Sequence, residues 1–380
     1  MLPAERLHIV FVLGYPTRTR GGTEHAALAF SRGLARRGHR ITAVFRREGE
    51  LLPEYRQFCE RVFVLTSAGA ALRFAAALVT PGRAPRGAIV YGHHAGRSFE
   101  LWALGVATRS RVVCHLHLPA PERLGRLTGF GLRRLDRFLA VSRATGDDWA
   151  RRHAIRPSRI TVVPNGVDVD RFVPAGDAAV AKTEYGLDPA EPVISFLGRL
   201  DRAKGPDLLI RGFAAFRAQH PGRRAALLIG GAPLWEGHGY LAELRQLAAE
   251  SGAGPDIRFI GQVSDTRRFY QASDLFVLPS VWPDPQPLTL TESMACGVPA
   301  LASRIGGIPE ILGPDFPEHL FEPGRVDEIA ARLGRFAEWR THDPALGARC
   351  RRVAEQKFSL EACIDRVEAA LGHCAAGGPG

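Results

Sequence analysis

The chain has 380 residues, 46% of them hydrophobic, and a formal net charge of +11 at pH 7. That length exceeds one core and predicts two domains of about 150–200 residues each. The apolar content excludes disorder, and no apolar run reaches the ~18 residues of a membrane span. The positive charge admits nucleic acid, an anionic membrane or an anionic substrate. It is carried almost wholly by arginine, since Lys182, Lys204 and Lys357 are the only lysines among 50 basic residues. No aromatic-interleaved basic stretch or zinc-finger spacing accompanies it, which argues against nucleic acid. Cys59, Cys114, Cys296, Cys350, Cys363 and Cys374 form no CxxC or metal spacing. They read as reduced thiols of a cytosolic protein.

Apolar strand patterns alternate with helical ones, which predicts parallel sheets with crossover helices. The run Leu7–Leu13 lacks a preceding basic region and a cleavage site, so it reads as a first buried strand rather than a leader. The first series of strands is His8–Leu13, Ile41–Phe45, Val62–Leu65, Ala88–Tyr91, Val112–Leu116, Phe138–Val141 and Ile160–Val163. The second is Val193–Leu197, Ala226–Ile229, Ile257–Ile260, Leu275–Leu278 and Val298–Ala302. The expected fold is α/β, with two Rossmann-like, doubly wound domains facing a central cleft, over 1–172 and 183–356. Ligands of such sheets sit at the carboxyl ends of the strands. Pro174–Lys182 reads as a linker. A helix over 357–372 is expected to pack back towards the first domain, and 373–380 to form a disordered tail.

After the first strand come Gly14 and then Gly21-Gly22-Thr23-Glu24, opening a helix that stops at Gly38. Thr23 can cap this helix and Glu24 suits its positive end. Gly21 and Gly22 would let a ligand approach the backbone, although this is not the dinucleotide GxGxxG fingerprint. Two strand ends carry histidines, His93-His94 and His115-Leu116-His117, with His115 and His117 on one face. His93, His94 and His115 read as buried structural histidines. The segment 121–138 is basic and bears leucine and phenylalanine. It reads equally as an interfacial helix for an anionic membrane or as an ordinary surface helix.

The second series opens with Ile194–Leu200, followed by Lys204-Gly205. Arg199 and Lys204 thus share one loop before a helix, where two fixed cations can stabilise a departing phosphate. In a chain that has replaced nearly every lysine, the retained Lys204 suggests a need for a compact point charge. Further on, Asp284 and Glu292 flank the start of a helix that ends at Gly297 and Pro299, and Gly306-Gly307 follows the next strand. Carboxylates at such a corner accept hydrogen bonds from vicinal diols, while helix-start N–H groups hold an anion.

These motifs together resemble the retaining glycosyltransferases of family 4, also called glycosyl transferases group 1, which have the GT-B fold. The likeness runs from about residue 8 to 370 and is densest over 193–310. Asp284 and Glu292 stand at the positions of that family's paired glutamates, and Gly21-Gly22 matches its GGxE helix opening. His117 matches its active-site histidine. The "VS" turn appears at Val141-Ser142 and "NGVD" at Asn165–Asp168. The resemblance implies that Arg199 and Lys204 grip the diphosphate of a nucleotide-diphosphate sugar and that Glu292 binds its ribose. It also implies that Asp284, Gln286, Leu288 and Thr289 line the sugar and phosphate, with His117 near the transferred sugar.

It further implies retention at the anomeric carbon, no metal and no cofactor beyond the donor. The acceptor would be a glycan or a lipid-linked molecule of bacterial envelope or exopolysaccharide synthesis. The expected location is the cytoplasm, with the inner face of the plasma membrane as an option. Asp284 is one methylene shorter than the family's glutamate, and Gln286-Pro287 replaces Phe-Gly, so proline removes one backbone donor. Two alternatives stay open: a nucleotide-sugar 2-epimerase of the same architecture, and a non-catalytic nucleotide-sugar-binding protein, which these departures suggest.

Overall fold

A computed structural model describes residues 6–17, 21–79, 88–233 and 238–377. The chain divides into two units, Met1–Gly166 with Leu360–Gly380, and Val167–Ser359.

The strands of the first unit are β1 (His8–Leu13), β2 (Arg40–Phe45), β3 (Arg61–Val64), β4 (Ile89–Gly92), β5 (Arg111–Leu116), β6 (Arg137–Ala140) and β7 (Ile160–Val162). They pair in the order β3-β2-β1-β4-β5-β6-β7, and every pairing is parallel. Both faces are covered. Along β1, Ile9, Phe11 and Leu13 enter one apolar cluster and Val10 enters another, as the period of two requires.

The second unit holds β8 (Val193–Leu197), β9 (Ala226–Gly230), β10 (Ile257–Gly261), β11 (Leu275–Leu278), β12 (Ala300–Ser303) and β13 (Leu320–Phe321). Their order is β10-β9-β8-β11-β12-β13, again parallel throughout. Each sheet therefore reverses its winding direction once, between β1 and β4 and between β8 and β11. Loops leaving neighbouring strands at such a point diverge and leave a crevice at the carboxyl ends.

Four expectations require correction. Residues 167–172 pack in the second unit rather than the first. The Val167 N–H donates to the Phe358 carbonyl at 2.8 Å, and the Arg351 guanidinium collects the carbonyls of Val169, Phe172 and Ala295. The expected linker 174–182 ends in a helix, Ala178–Glu184, capped by the Asp177 side chain. Lys182 on that helix is buried and pairs with Asp274 at 2.7 Å. The last helix, Leu360–Ala375, runs into the expected tail, with Leu371 and Cys374 buried; residues 378–380 lie outside the described ones. Thr23 does not cap the first helix, Gly22–Arg36, whose cap is Gly21 without a side-chain bond.

The last helix belongs to the first unit and packs on Gly22–Arg36. Ile364 occupies the space a Cβ at Gly33 would need, and Arg37 and His39 reach Glu368 at 2.6 and 2.8 Å. Strand β13 was not expected, since two residues are too few to show a period.

Candidate functional site

In the second unit the loops after β8 and β11 meet. The loop after β8 carries Arg199, Asp201 and Lys204. Arg199 Nε donates to the Asp201 carboxylate, whose other oxygen accepts from the Lys204 N–H at 3.1 Å, capping the turn Arg202–Lys204. Gly205 follows with φ 67, and a Cβ there would lie 2.2 Å from the Pro279 carbonyl oxygen. Only glycine fits both the conformation and the space. The helix Pro206–Gln219 starts at once, with proline in its first turn, where no N–H is needed.

The loop after β11 is tied to this turn by the Val281 N–H, which donates to the Ala203 carbonyl at 2.9 Å. It delivers Asp284 to Lys204: the ammonium donates to Asp284 Oδ2, with both side chains largely buried. The Asp284 carbonyl accepts from the Gly307 N–H at 2.8 Å, and a Cβ at Gly306 would lie 2.3 Å from that carbonyl oxygen. The Gly-Gly turn thus supports the acid loop from behind.

Gln286 is buried, and Pro287 precedes the helix Leu288–Ala295, whose first residues Leu288 and Thr289 are half-buried. Glu292 stands one turn further along. Burial raises its carboxyl to about 7, while the Tyr270 hydroxyl, donating at 3.0 Å, and the Arg171 charge oppose that rise.

The first unit holds a separate cavity of about 1000 Å³ at the ends of β1, β4 and β5, lined by residues that include Glu24, His93, His94 and His117. One wall is cationic: Arg46 and Arg97 both donate to Glu100 at 3.2 Å, and Arg47 lies beside them. Another wall is apolar, formed by Leu116, Leu118, Leu124 and Trp149. It continues to exposed surface at Leu118 (55%) and at Leu127 (65%) on the helix Arg126–Arg134.

Behind this cavity His93 Nδ1 and His117 Nε2 share a hydrogen bond of 2.9 Å, and the Tyr91 hydroxyl meets His115 Nδ1 at 2.8 Å. Burial lowers the pKa of all three histidines, that of His115 to about 3. They are therefore neutral near pH 7. His93, His115 and His117 have ring nitrogens within 4.8 Å of one another, as a transition-metal site would need. The nitrogens of His93 and His117 that face each other are already hydrogen-bonded, and both of His115 are engaged, the second with the Val163 carbonyl at 3.4 Å. The other ring nitrogens, His93 Nε2 and His117 Nδ1, are buried and meet no hydrogen-bond partner among the described residues. His94 departs from expectation, being half-buried on the cavity wall rather than structural.

Lys204, Asp284 and Arg199 are thus gathered at one switch point, with Gln286, Leu288, Thr289 and Glu292 on the loop and helix that follow. Gly21, Gly22 and His117 lie in the other unit. Asp201, Tyr270 and the three arginines of the cavity were not singled out by the sequence. An Asp three residues before Lys204 was a legible capping signal, whereas Tyr270 carried none.

Residues 178–355 match the family described as Glycosyl transferases group 1, and residues 20–171 match Glycosyltransferase Family 4. A D-inositol 3-phosphate glycosyltransferase of Catenulispora acidiphila is 35% identical over 194 residues, covering 50% of this chain and 45% of its own. One from Rhodococcus jostii is 32% identical over 222 residues, covering 53% and 49%. The chain spans about half the length of these curated relatives. Among solved structures, Anabaena HepE in complex with UDP superposes with a TM-score of 0.81 at 21% identity, covering 96% of this chain and 99% of that one. A glycosyltransferase from Rickettsia africae gives 0.82 at 17%, covering 97% and 98%. Both show the shared fold. Two parallel-sheet Rossmann-like units and two matching family segments lead to one assignment: the chain has the GT-B fold and belongs to glycosyltransferase family 4.

Proposed function

We propose that the protein transfers a glycosyl group from a nucleotide-diphosphate sugar to an acceptor hydroxyl, with retention and without a metal. The observation that carries this reading is the meeting of Lys204 and Asp284 at the β8/β11 switch point, beside the start of a helix. The donor diphosphate replaces Asp284 as the partner of Lys204 and also takes Arg199. Asp284, so released, accepts from hydroxyls of the sugar, and Glu292 accepts from the ribose diol. Gln286 and the backbone at Leu288 and Thr289 complete the donor contacts.

The acceptor oxygen bonds to the anomeric carbon as the bond from that carbon to the diphosphate oxygen breaks. The acceptor proton passes to the departing diphosphate on the same face. Arg199 and Lys204 stabilise the charge that develops on it, and no protein nucleophile is required. His117, neutral and held by His93, is a fixed polar group on the wall of the first unit's cavity.

HepE was solved with UDP and with UDP-glucose, which makes uridine the first base to test. The cavity of the first unit, with one cationic and one apolar wall, suits a glycan or lipid-linked acceptor of envelope synthesis. It supports a peripheral position on the inner membrane face, with 121–138 at the surface; among the described residues no helix is long and apolar enough to cross a membrane. A second reading, a small polyol phosphate as acceptor, is favoured by the names of the relatives and by the three arginines.

The test is a metal-free thermal-shift panel of UDP, GDP, ADP and their sugar conjugates, followed by transfer assays with the best donor and NMR of the product anomer. A shift with one nucleotide series and a retained anomer support the reading. Conversion of the donor alone would establish the epimerase. Binding without turnover would leave a nucleotide-sugar-binding protein.

A further inference from the structure

The carboxyl ends of β4 and β5 bring three imidazoles onto one face of the first unit's sheet. The register sets Gly92 beside Cys114, so His93, the next residue along, falls beside His115. Alternation carried through the end of β5 puts His117 on the same face as His115. Ring centroids lie 4.2 Å apart for His115 and His117, 5.1 Å for His93 and His117, and 5.6 Å for His93 and His115. One nitrogen from each ring lies within 4.8 Å of the other two.

The surroundings prepare these rings as ligands. Each is neutral near pH 7, because burial lowers its pKa, and a neutral ring offers the lone pair that coordination needs. The Val163 carbonyl can only accept, so the 3.4 Å contact places the His115 proton on Nε2. Its Nδ1 lone pair then faces the Tyr91 hydroxyl at 2.8 Å. A backbone carbonyl on the second nitrogen is the common outer partner of a ligating histidine. The Phe11 ring lies 4.6 Å from that of His93, and the Phe30 ring 5.7 Å from that of His115. This apolar shell limits solvent access to the rings. His93 and His117 also line the cavity of about 1000 Å³, which gives an ion its way in.

We propose that His93, His115 and His117 bind one first-row transition metal ion of the Zn2+ type. Imidazole suits zinc, copper, iron and nickel, whereas magnesium and calcium take oxygen ligands. Three histidines leave one tetrahedral position for a water. Bonds of about 2.0–2.1 Å set such nitrogens about 3.3 Å apart. His93 Nδ1 and His117 Nε2, now 2.9 Å apart, therefore separate by roughly 0.4 Å as the ion takes the place of their shared proton. That proton moves to the outer nitrogen of its own ring, so both imidazoles stay neutral and no proton is released. His115 Nδ1 exchanges the Tyr91 hydroxyl for the ion. The site belongs to the first unit, and the transfer step proposed for Arg199 and Lys204 does not use it.

The test uses the untagged full chain, stripped with a chelator, with CoCl2 and ZnCl2 as probes. The wild type should take up one equivalent of Co2+ and show the intense visible bands of a tetrahedral site. Zn2+ should displace it and raise the melting temperature. H93Q and H117Q should each weaken Zn2+ binding at least about tenfold, since even the outer partners of a ligand are worth about 10–100-fold. H342Q, which alters an exposed histidine of the second unit, should bind as the wild type does. H117Q changes a ring at the cavity wall and covers the case in which H93Q folds poorly; melts without metal check both. Only faint octahedral bands from the wild type, or wild-type affinity in both H93Q and H117Q, would overturn the proposal. UDP binding measured in EDTA reports on the donor site alone, so the two readings fail separately.

Discussion

Lys204 and Asp284, 80 residues apart, form an ion pair because the loops after β8 and β11 leave neighbouring strands at a reversal of winding. Each of the three lysines in this arginine-rich chain is paired with an aspartate: Lys182 with Asp274, Lys204 with Asp284 and Lys357 with Asp315. Only the Lys204 pair lies at a switch point, where an incoming diphosphate can compete for the ammonium.

Lys204→Ala should lower kcat by roughly 10²–10³, as removal of one donor to a developing oxyanion does. Lys204→Arg should rescue little, because the wider guanidinium cannot occupy the same confined point. Steady-state transfer kinetics decide this. Near-wild-type kcat in Lys204→Ala would remove the catalytic assignment.

On the proposed donor site, Glu292 should make donor affinity depend on pH. With its carboxyl at about 7, the ionised form that accepts from a ribose diol grows as pH rises through 7, so nucleotide affinity should rise from pH 6 to 8. Stability moves the other way. The folded state binds this proton more tightly than the unfolded state, whose ordinary value is 4.5. Stability from this group is therefore fully present below about 4.5 and is lost as pH rises through 7. Glu292→Gln should flatten both trends in calorimetric titrations and melts; an unchanged affinity profile in that variant would rule out its ribose role.

Lys182→Ala should cost up to about 3 kcal/mol, since it removes one of two cations from the buried Asp274, which keeps Arg340 and the Val193 N–H, each at 2.9 Å. The kcat of the folded fraction should be unchanged. Urea unfolding and active-site titration separate the two quantities, and a cost under about 1 kcal/mol would show that the site relaxes or admits water.

Gly205→Ala places a methyl against the Pro279 carbonyl at a left-handed φ. Strain and overpacking together should cost about 1–3 kcal/mol. The shift of the Lys204 turn should raise KM for the donor more than Gly198→Ala does. Equal KM values for the two variants would show that the turn tolerates the change.

Arg47→Gln and Arg97→Gln should raise KM for an acceptor bearing phosphate or carboxylate by about tenfold each, while donor hydrolysis in the absence of acceptor stays constant. Parallel assays with D-inositol 3-phosphate and with a lipid-linked acceptor read this out. Equal losses with an uncharged acceptor would mean that these arginines shape the cavity rather than pair with charge.

Much of the architecture was legible in the sequence. The central strands β4, β8, β9, β11 and β12 are buried on both faces, so they appear as apolar runs punctuated by glycine and proline, and local chemistry alone reveals them. The acid loop, the Arg199–Lys204 loop and the Gly306-Gly307 turn were visible for the same reason, since each is a short segment whose function depends on its own residues. Partnerships across the fold were not legible. That Asp284 holds Lys204, that Tyr270 reaches Glu292, that His93 engages His117 and that Lys182 is a buried cation follow from the order of strands in a sheet. Strand order is fixed by packing between distant segments and leaves no periodic mark on either one. The two-residue β13 was hidden for the same reason, because its pairing exists only once the sheet has formed.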